Sequence, residues 1–290
     1  MTPRMNSAMC FSNPPGFSRS SRGWIVAAAI GLFSLLLATP VLAASSDWAL
    51  NEGGRMRLIL LPQEADGTRH GALVIEPKPG WITYWKEPGD VGIPPAITPV
   101  PGAAYTVERV GFPVPKVLTN GDMTDVGYDH PVTLPISLKN APDDADVTLS
   151  AFVGVCQNIC IPFQADLSVP PNEGGVANAV ETALVRSAQA QVPPGPSPEF
   201  HVIDHQLGAD HRELVIRLKM PAGADSPKAF VSGPSGHVFT HSVASRGADG
   251  EMVLTLPIGK LPKKYKIAGK HWGILVVSGN QAMETTLAFD

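Results

Sequence analysis

Two cysteines three residues apart, Cys156 and Cys160, sit between two runs of alternating apolar residues. No other feature of the chain constrains its fold so tightly. Before the pair, Val147, Leu149, Ala151, Val153 and Val155 alternate with Thr148, Ser150, Phe152 and Gly154. After it, Ile161, Phe163, Ala165, Leu167 and Val169 alternate with Pro162, Gln164, Asp166 and Ser168. A period of two over this length marks strands with one buried face. Residues four apart on one straight strand lie about 13 Å apart at roughly 3.3 Å per residue, whereas a disulfide holds its Cα atoms within about 7 Å. Bridging the pair therefore requires the chain to turn at Gln157, Asn158 and Ile159, as a three-residue hairpin loop or a single helical turn. Asn158 suits the left-handed position of such a turn. Both cysteines share the parity of the polar residues, which places both sulfurs on the outer face of the hairpin. Gly154 leaves room beside Cys156, so Cys156 is the expected exposed partner. Pro162 has no N–H for a ladder, which puts its strand at an edge or opens it locally.

The N-terminus sets the chemistry open to this pair. Arg4, Arg19 and Arg22 are the only charges before Asp47, and the apolar run Trp24 to Ala38 follows them. Small residues then close the segment at Ala43 and Ala44. This is the pattern of a signal peptide over residues 1–44, with cleavage after Ala43 or Ala44. An uncleaved anchor is the alternative, for which the run is short. Removing the leader leaves 19 basic residues against 26 acidic, a net charge of −7 in place of −4. That excess of acid argues against nucleic acid and against an anionic membrane surface as partners. Cys10 leaves with the leader, so the exported chain keeps Cys156 and Cys160 alone of three cysteines. In an oxidising compartment such a pair is a disulfide or cycles through one.

Along the rest of the chain the pattern is β structure cut by turns, in keeping with 28 Gly and 29 Pro. Met56–Leu61 and His70–Ile75 are expected strands joined by a turn at Ala65, Asp66 and Gly67. Ala104–Val110 and Val132–Leu138 are two more, with the segment from Thr119 to His130 read as a loop between them. Pro79 to Asp90 combines Trp81, Tyr84 and Trp85 with two Pro-Gly turn signals. It is either core packing with a turn or an aromatic wall beside a binding site. Strands at this spacing suggest an immunoglobulin-like β-sandwich over residues 45–171. Val176 to Gln191 is the one convincing helix, with Val176, Val180, Leu184 and Ala188 near one face. Pro193 to Pro198 forms a stiff linker, so residues 172–198 separate the sandwich from a second small β domain over residues 199–290. That domain shows strand patterns at Leu214–Leu218, Met252–Leu256 and Trp272–Val277. The fold class expected is therefore all-β, two sandwich-like domains with one short helix and a Pro-rich linker between.

Three uses of the cysteine pair remain open on the residues alone. A structural staple closing so short a loop removes roughly 2 kcal/mol of unfolded-state entropy, against about 4 for a long loop. Two thiolates also suit Cu(I), with His130 or a methionine needed as a further ligand. Exchange needs one thiolate to attack and a second to resolve. No Lys, Arg or His adjoins either cysteine in sequence to lower a thiol pKa.

Three motifs in order carry a resemblance: Gly80 to Pro95, Val126-Gly127-Tyr128, and Cys156-Gln157-Asn158-Ile159-Cys160-Ile161-Pro162. Together they resemble the N-terminal periplasmic domain of the DsbD/ScsB family of thiol:disulfide interchange proteins, over roughly Trp48 to Pro170. The three-residue spacing is similar to that of the ScsB-like branch, which is associated with copper tolerance. The resemblance implies a periplasmic immunoglobulin-like domain that works without a cofactor as a protein-disulfide reductase. Its Cys156 and Cys160 would receive electrons from a membrane thiol reductase and pass them to thioredoxin-like or disulfide-isomerase-like proteins. It also implies an aromatic-bearing cap, for which Tyr84, Trp85 and Tyr128 are the candidates. The sequence holds no transmembrane core and no thioredoxin-like Cys-x-x-Cys domain, so the reductase is expected in trans. The rivals are a copper-handling protein binding Cu(I) through Cys156 and Cys160, and an interaction domain with a passive staple. Because Cys156 is the expected exposed sulfur, Cys160→Ser is the trapping variant the sequence suggests.

Overall fold

A computed structural model describes residues 45–290 except 90–91, 121–122, 173–177, 234–236, 248–249, 260 and 263, and omits the side chains of residues 120 and 123. The expected signal peptide with Cys10, and Asp90, Gly121, Asp122 and Val176, lie outside the described residues. Among the described residues no helix is long and apolar enough to cross a membrane.

Eleven strands build the first half: β1 (Ala49–Leu50), β2 (Gly54–Gln63), β3 (Thr68–Pro77), β4 (Ile82–Gly89), β5 (Ala96–Pro99), β6 (Thr106–Val110), β7 (Lys116–Asn120), β8 (Met123–Tyr128), β9 (Val132–Lys139), β10 (Val147–Cys156) and β11 (Cys160–Val169). They form two sheets, one in the order β1-β2-β3-β9-β6 and one in the order β11-β10-β4-β8-β7, with β5 also paired to β10. Inward residues of both sheets meet in one core, Met56, Leu58, Leu60, Leu134 and Ile136 from one side and Val147, Leu149, Val153 and Val155 from the other. The alternation that marked β10 and β11 as strands is the alternation that fills this core. Helix α1 (Ala179–Ala190) follows, capped by Asn178, whose side chain accepts from the N–H groups of Val180 and Glu181.

The second half holds β12 (His201–Leu207), β13 (Glu213–Lys219), β14 (Lys228–Ser232), β15 (Val238–Phe239), β16 (Val243–Arg246), β17 (Met252–Pro257), β18 (Lys270–Ser278) and β19 (Gln281–Phe289). Their two sheets, β12-β13-β17-β16 and β15-β14-β18-β19, enclose a second core around Leu214, Ile216, Leu254, Trp272 and Ile274. The protein is all-β in class, with one helix among the described residues.

Two expectations need correction. The segment Thr119–His130 is not a loop: β7 and β8 pair antiparallel up to Asn120 and Met123, and so form a two-stranded ladder. At five and six residues the two strands are too short to show a period of two. The helix keeps Leu184 and Ala188 of its expected face inward but turns Val180 out. Glu181, Val185 and Ala188 are buried, while Val180 is 77% exposed. Helical spacing admits 181, 185 and 188 as well as 180, 184 and 188, and against Ile59, Ala72 and Val74 the helix buries Val185 with Leu184 beside it.

The Pro-rich stretch does not hold the halves apart. Pro194 accepts a hydrogen bond from the Glu284 N–H at 2.9 Å. Phe230 and Leu275 of the second half belong to the core of the first.

Candidate functional site

The turn at residues 157–159 is a three-residue hairpin loop. β10 and β11 pair without a register break from Val147–Val169 to Cys156–Cys160. The Gln157 N–H bonds the Ile159 carbonyl across the loop at 3.2 Å. The last pair of the ladder is the cysteine pair itself, joined as a disulfide with its Cα atoms 4.1 Å apart. β11 is the edge strand of its sheet, as Pro162 suggested.

The two sulfurs face the same side but differ in cover. Cys160 is exposed, as are Pro162 and Ile159, the last at 68%. Cys156 is only 4% exposed, so the expectation that Cys156 is the accessible partner is overturned. The reason is the space beside Gly154. A Cβ there would lie 2.6 Å from the Ile93 Cβ and 2.9 Å from the Tyr84 ring. The room left by this glycine is filled by residues from another part of the chain. Gly92 packs on the other edge of the Tyr84 ring, where its own Cβ would fall 2.6 Å away. Ile93 and Gly92 had no local sequence signal beyond belonging to the Gly80–Pro95 motif.

Tyr84 is the polar centre of the site. β4 pairs with the end of β10, Ile82 opposite Cys156 and Thr83 opposite Val155, and Thr83 Oγ1 donates to the Gly154 carbonyl at 2.9 Å. Side chains alternate along β4, so Tyr84 points to the face that carries the sulfurs. Its hydroxyl donates to Cys156 Sγ at 2.8 Å and lies 3.2 Å from Cys160 Sγ. Burial, with a smaller contribution from the Asp125 carboxylate, pushes the phenol up to about 12. It therefore stays protonated, a standing donor to sulfur.

Trp85 and Tyr128 do not join it. Trp85 has the opposite parity and packs into the core, its ring 6.0 Å from that of Phe230. Tyr128 pairs with Thr83 across the sheet, is buried in the same core, and donates its hydroxyl to the Pro113 carbonyl at 2.8 Å. Of the three aromatics expected around the pair, Tyr84 makes the sulfur contact and the other two support the strand behind it. Gln157, expected only as a turn residue, also lies with its Nε2 close against the turn at Gly80.

Among the described residues no group of three or more His, Cys, Asp and Glu comes together in a metal-holding arrangement. His130 instead bonds Asp129 at 2.8 Å, so a Cu(I) site at this place would be built on the two thiolates.

These features define a class: an immunoglobulin-like sandwich carrying a disulfide at the tip of an edge hairpin, one sulfur open and one covered. Residues 57–171 match the family described as thiol:disulfide interchange protein DsbD, N-terminal. That match runs from β2 to just past the end of β11 and takes in both cysteines. Residues 191–290 match a domain of unknown function, DUF8393. No curated protein sequence matches the chain. The crystal structure of the N-terminal periplasmic domain of ScsB from Proteus mirabilis is similar over 86% of this chain and 100% of its own, with a TM-score of 0.69 and 21% identity. That coverage runs beyond the first sandwich, so both halves share the fold of the ScsB domain. A marsupial T cell receptor covers 82% of this chain and 97% of its own at a TM-score of 0.20 and 8% identity. The BSP domain of a biofilm-associated protein covers 91% and 55% at 0.21 and 12%.

Proposed function

We propose that this chain is an exported, periplasmic thiol:disulfide oxidoreductase that exchanges the Cys156–Cys160 disulfide with partner proteins. The observation that carries this is the asymmetry of the pair, with Cys160 open at a sheet edge and Cys156 covered and hydrogen-bonded by Tyr84. A partner's thiolate attacks Cys160 Sγ. A partner–Cys160 bond forms as the Cys156–Cys160 bond breaks, and the electron pair stays on Cys156 Sγ as a thiolate, to which the Tyr84 O–H donates a hydrogen bond. A second partner thiolate then attacks its own sulfur in the mixed disulfide and releases Cys160. The partner leaves as a disulfide, and this chain keeps two thiols. Run in reverse, with Cys156 resolving, the same steps pass two electrons onward without a cofactor.

The family suggests a membrane thiol reductase as the source and thioredoxin-like or disulfide-isomerase-like proteins as recipients. The leader reading over residues 1–44 and the periplasmic setting of the similar ScsB domain support the location. Because Cys160 is the open sulfur, the trapping variant is Cys156→Ser, the reverse of the choice the sequence suggested. Equilibration of the oxidised protein with a reduced thioredoxin-like protein tests the proposal. Thiols counted by mass after alkylation should show the disulfide moving between the two proteins. A Cys156–Cys160 bridge that stays intact, at a potential far below that of glutathione, would mark a passive staple.

A further inference from the structure

Strand β4 touches the disulfide and the second sandwich through adjacent residues. Tyr84 reaches the sulfurs. Trp85 packs on Phe230 of β14, and Lys86 pairs with Glu284 of β19, its ammonium 5.1 Å from the Trp85 ring centre. The ladder explains why these contacts matter. On one side β4 pairs with β10 only at Ile82 and Thr83, because β10 goes on to pair with β5. On the other side the register with β8 holds at Thr83 and Tyr84, breaks, and resumes at Gly89. Tyr84 is the last residue of β4 held in register before that break, and Trp85 and Lys86 fall within it. At that break Trp85 packs in the first core, and the second sandwich adds the Phe230 and Glu284 contacts. Glu284 is itself held in place, its N–H bonded to the Pro194 carbonyl at 2.9 Å.

We propose that the second sandwich positions Tyr84 against the disulfide through Phe230 and Glu284, and so sets the redox equilibrium of Cys156 and Cys160. Its biological use rests on the exchange function above. Glu284 and Phe230 are positioning residues: they act on sulfur only through β4. A thiolate accepts the Tyr84 hydrogen bond more strongly than a disulfide sulfur does. Loosening Tyr84 therefore destabilises the reduced form and favours the disulfide.

The test is a double-mutant cycle on the full exported chain, equilibrated with reduced and oxidised glutathione and read by mass after alkylation. Glu284→Gln and Phe230→Leu should each shift the equilibrium toward the disulfide by about threefold, within the range of coupling between contacting residues. Either change made in a Tyr84→Phe background should add nothing. A purely structural role of the second sandwich would give no shift, or the same shift with and without the Tyr84 hydroxyl, and either result overturns the proposal. Glutathione is the only reactant, so failure to exchange with protein partners would count against the proposed function and leave this measurement standing.

Discussion

Cys156 and Cys160 occupy facing positions on one ladder, yet only one meets solvent: Cys156 lies under the Tyr84 hydroxyl, with Ile93 packed against the neighbouring Gly154. Removing the Tyr84 hydroxyl should favour the disulfide about tenfold against glutathione, the scale of a hydrogen bond to a charged group. The same group gives a pH signature. Its folded pKa, near 12, lies above the ordinary 10.0, so the stability it contributes is full below pH 10 and is lost as pH rises through about 12. Burial pushes Tyr128 in the same direction. Alkaline unfolding followed by circular dichroism should therefore be shallower in Tyr84→Phe than in the parent. Gly154→Ala tests the cover directly. Its Cβ cannot fit beside Ile93, and overpacking of this kind costs roughly 1–3 kcal/mol. Alkylation of Cys156 in the reduced protein should accelerate about tenfold if that strain opens the cover. Parity in the sequence gave the face of both sulfurs correctly. It could not give the cover, because Ile93 arrives from some sixty residues upstream.

At the scale of elements, the hairpin of β10 and β11 was legible because alternation and the cysteine spacing agree on one register. β2 and β3 were legible for a similar reason, through Asp66 and Gly67 at the turn. β7 and β8 were not. Thr119 to Asp122 reads as turn chemistry throughout, and the flanking strands are too short to show a period. The helix existed where its pattern placed it, but its buried face depended on the sheet it met. Substitution separates the two faces: Val185→Ser should cost about 2 kcal/mol, as cavity and buried hydroxyl add. Val180→Ser, at a residue 77% exposed, should stay within about 0.5 kcal/mol. Midpoints of urea unfolding compare them.

For the molecule as a whole, Pro193 to Pro198 suggested a spacer, whereas Phe230 and Leu275 complete the core of the first sandwich. Composition marks a linker but does not say whether the halves it joins touch. With the core shared, residues 45–290 should unfold in one calorimetric transition, and two separated transitions would show independent halves. The interchange chemistry itself turns on which sulfur meets the partner. Cys156→Ser and Cys160→Ser, each added to a periplasmic extract and resolved on non-reducing gels, decide that question. Thiol-sensitive adducts should form with Cys156→Ser, through the open Cys160, and few with Cys160→Ser, whose remaining thiol is covered. Adducts formed mainly by Cys160→Ser, or by neither variant, would contradict exchange through Cys160.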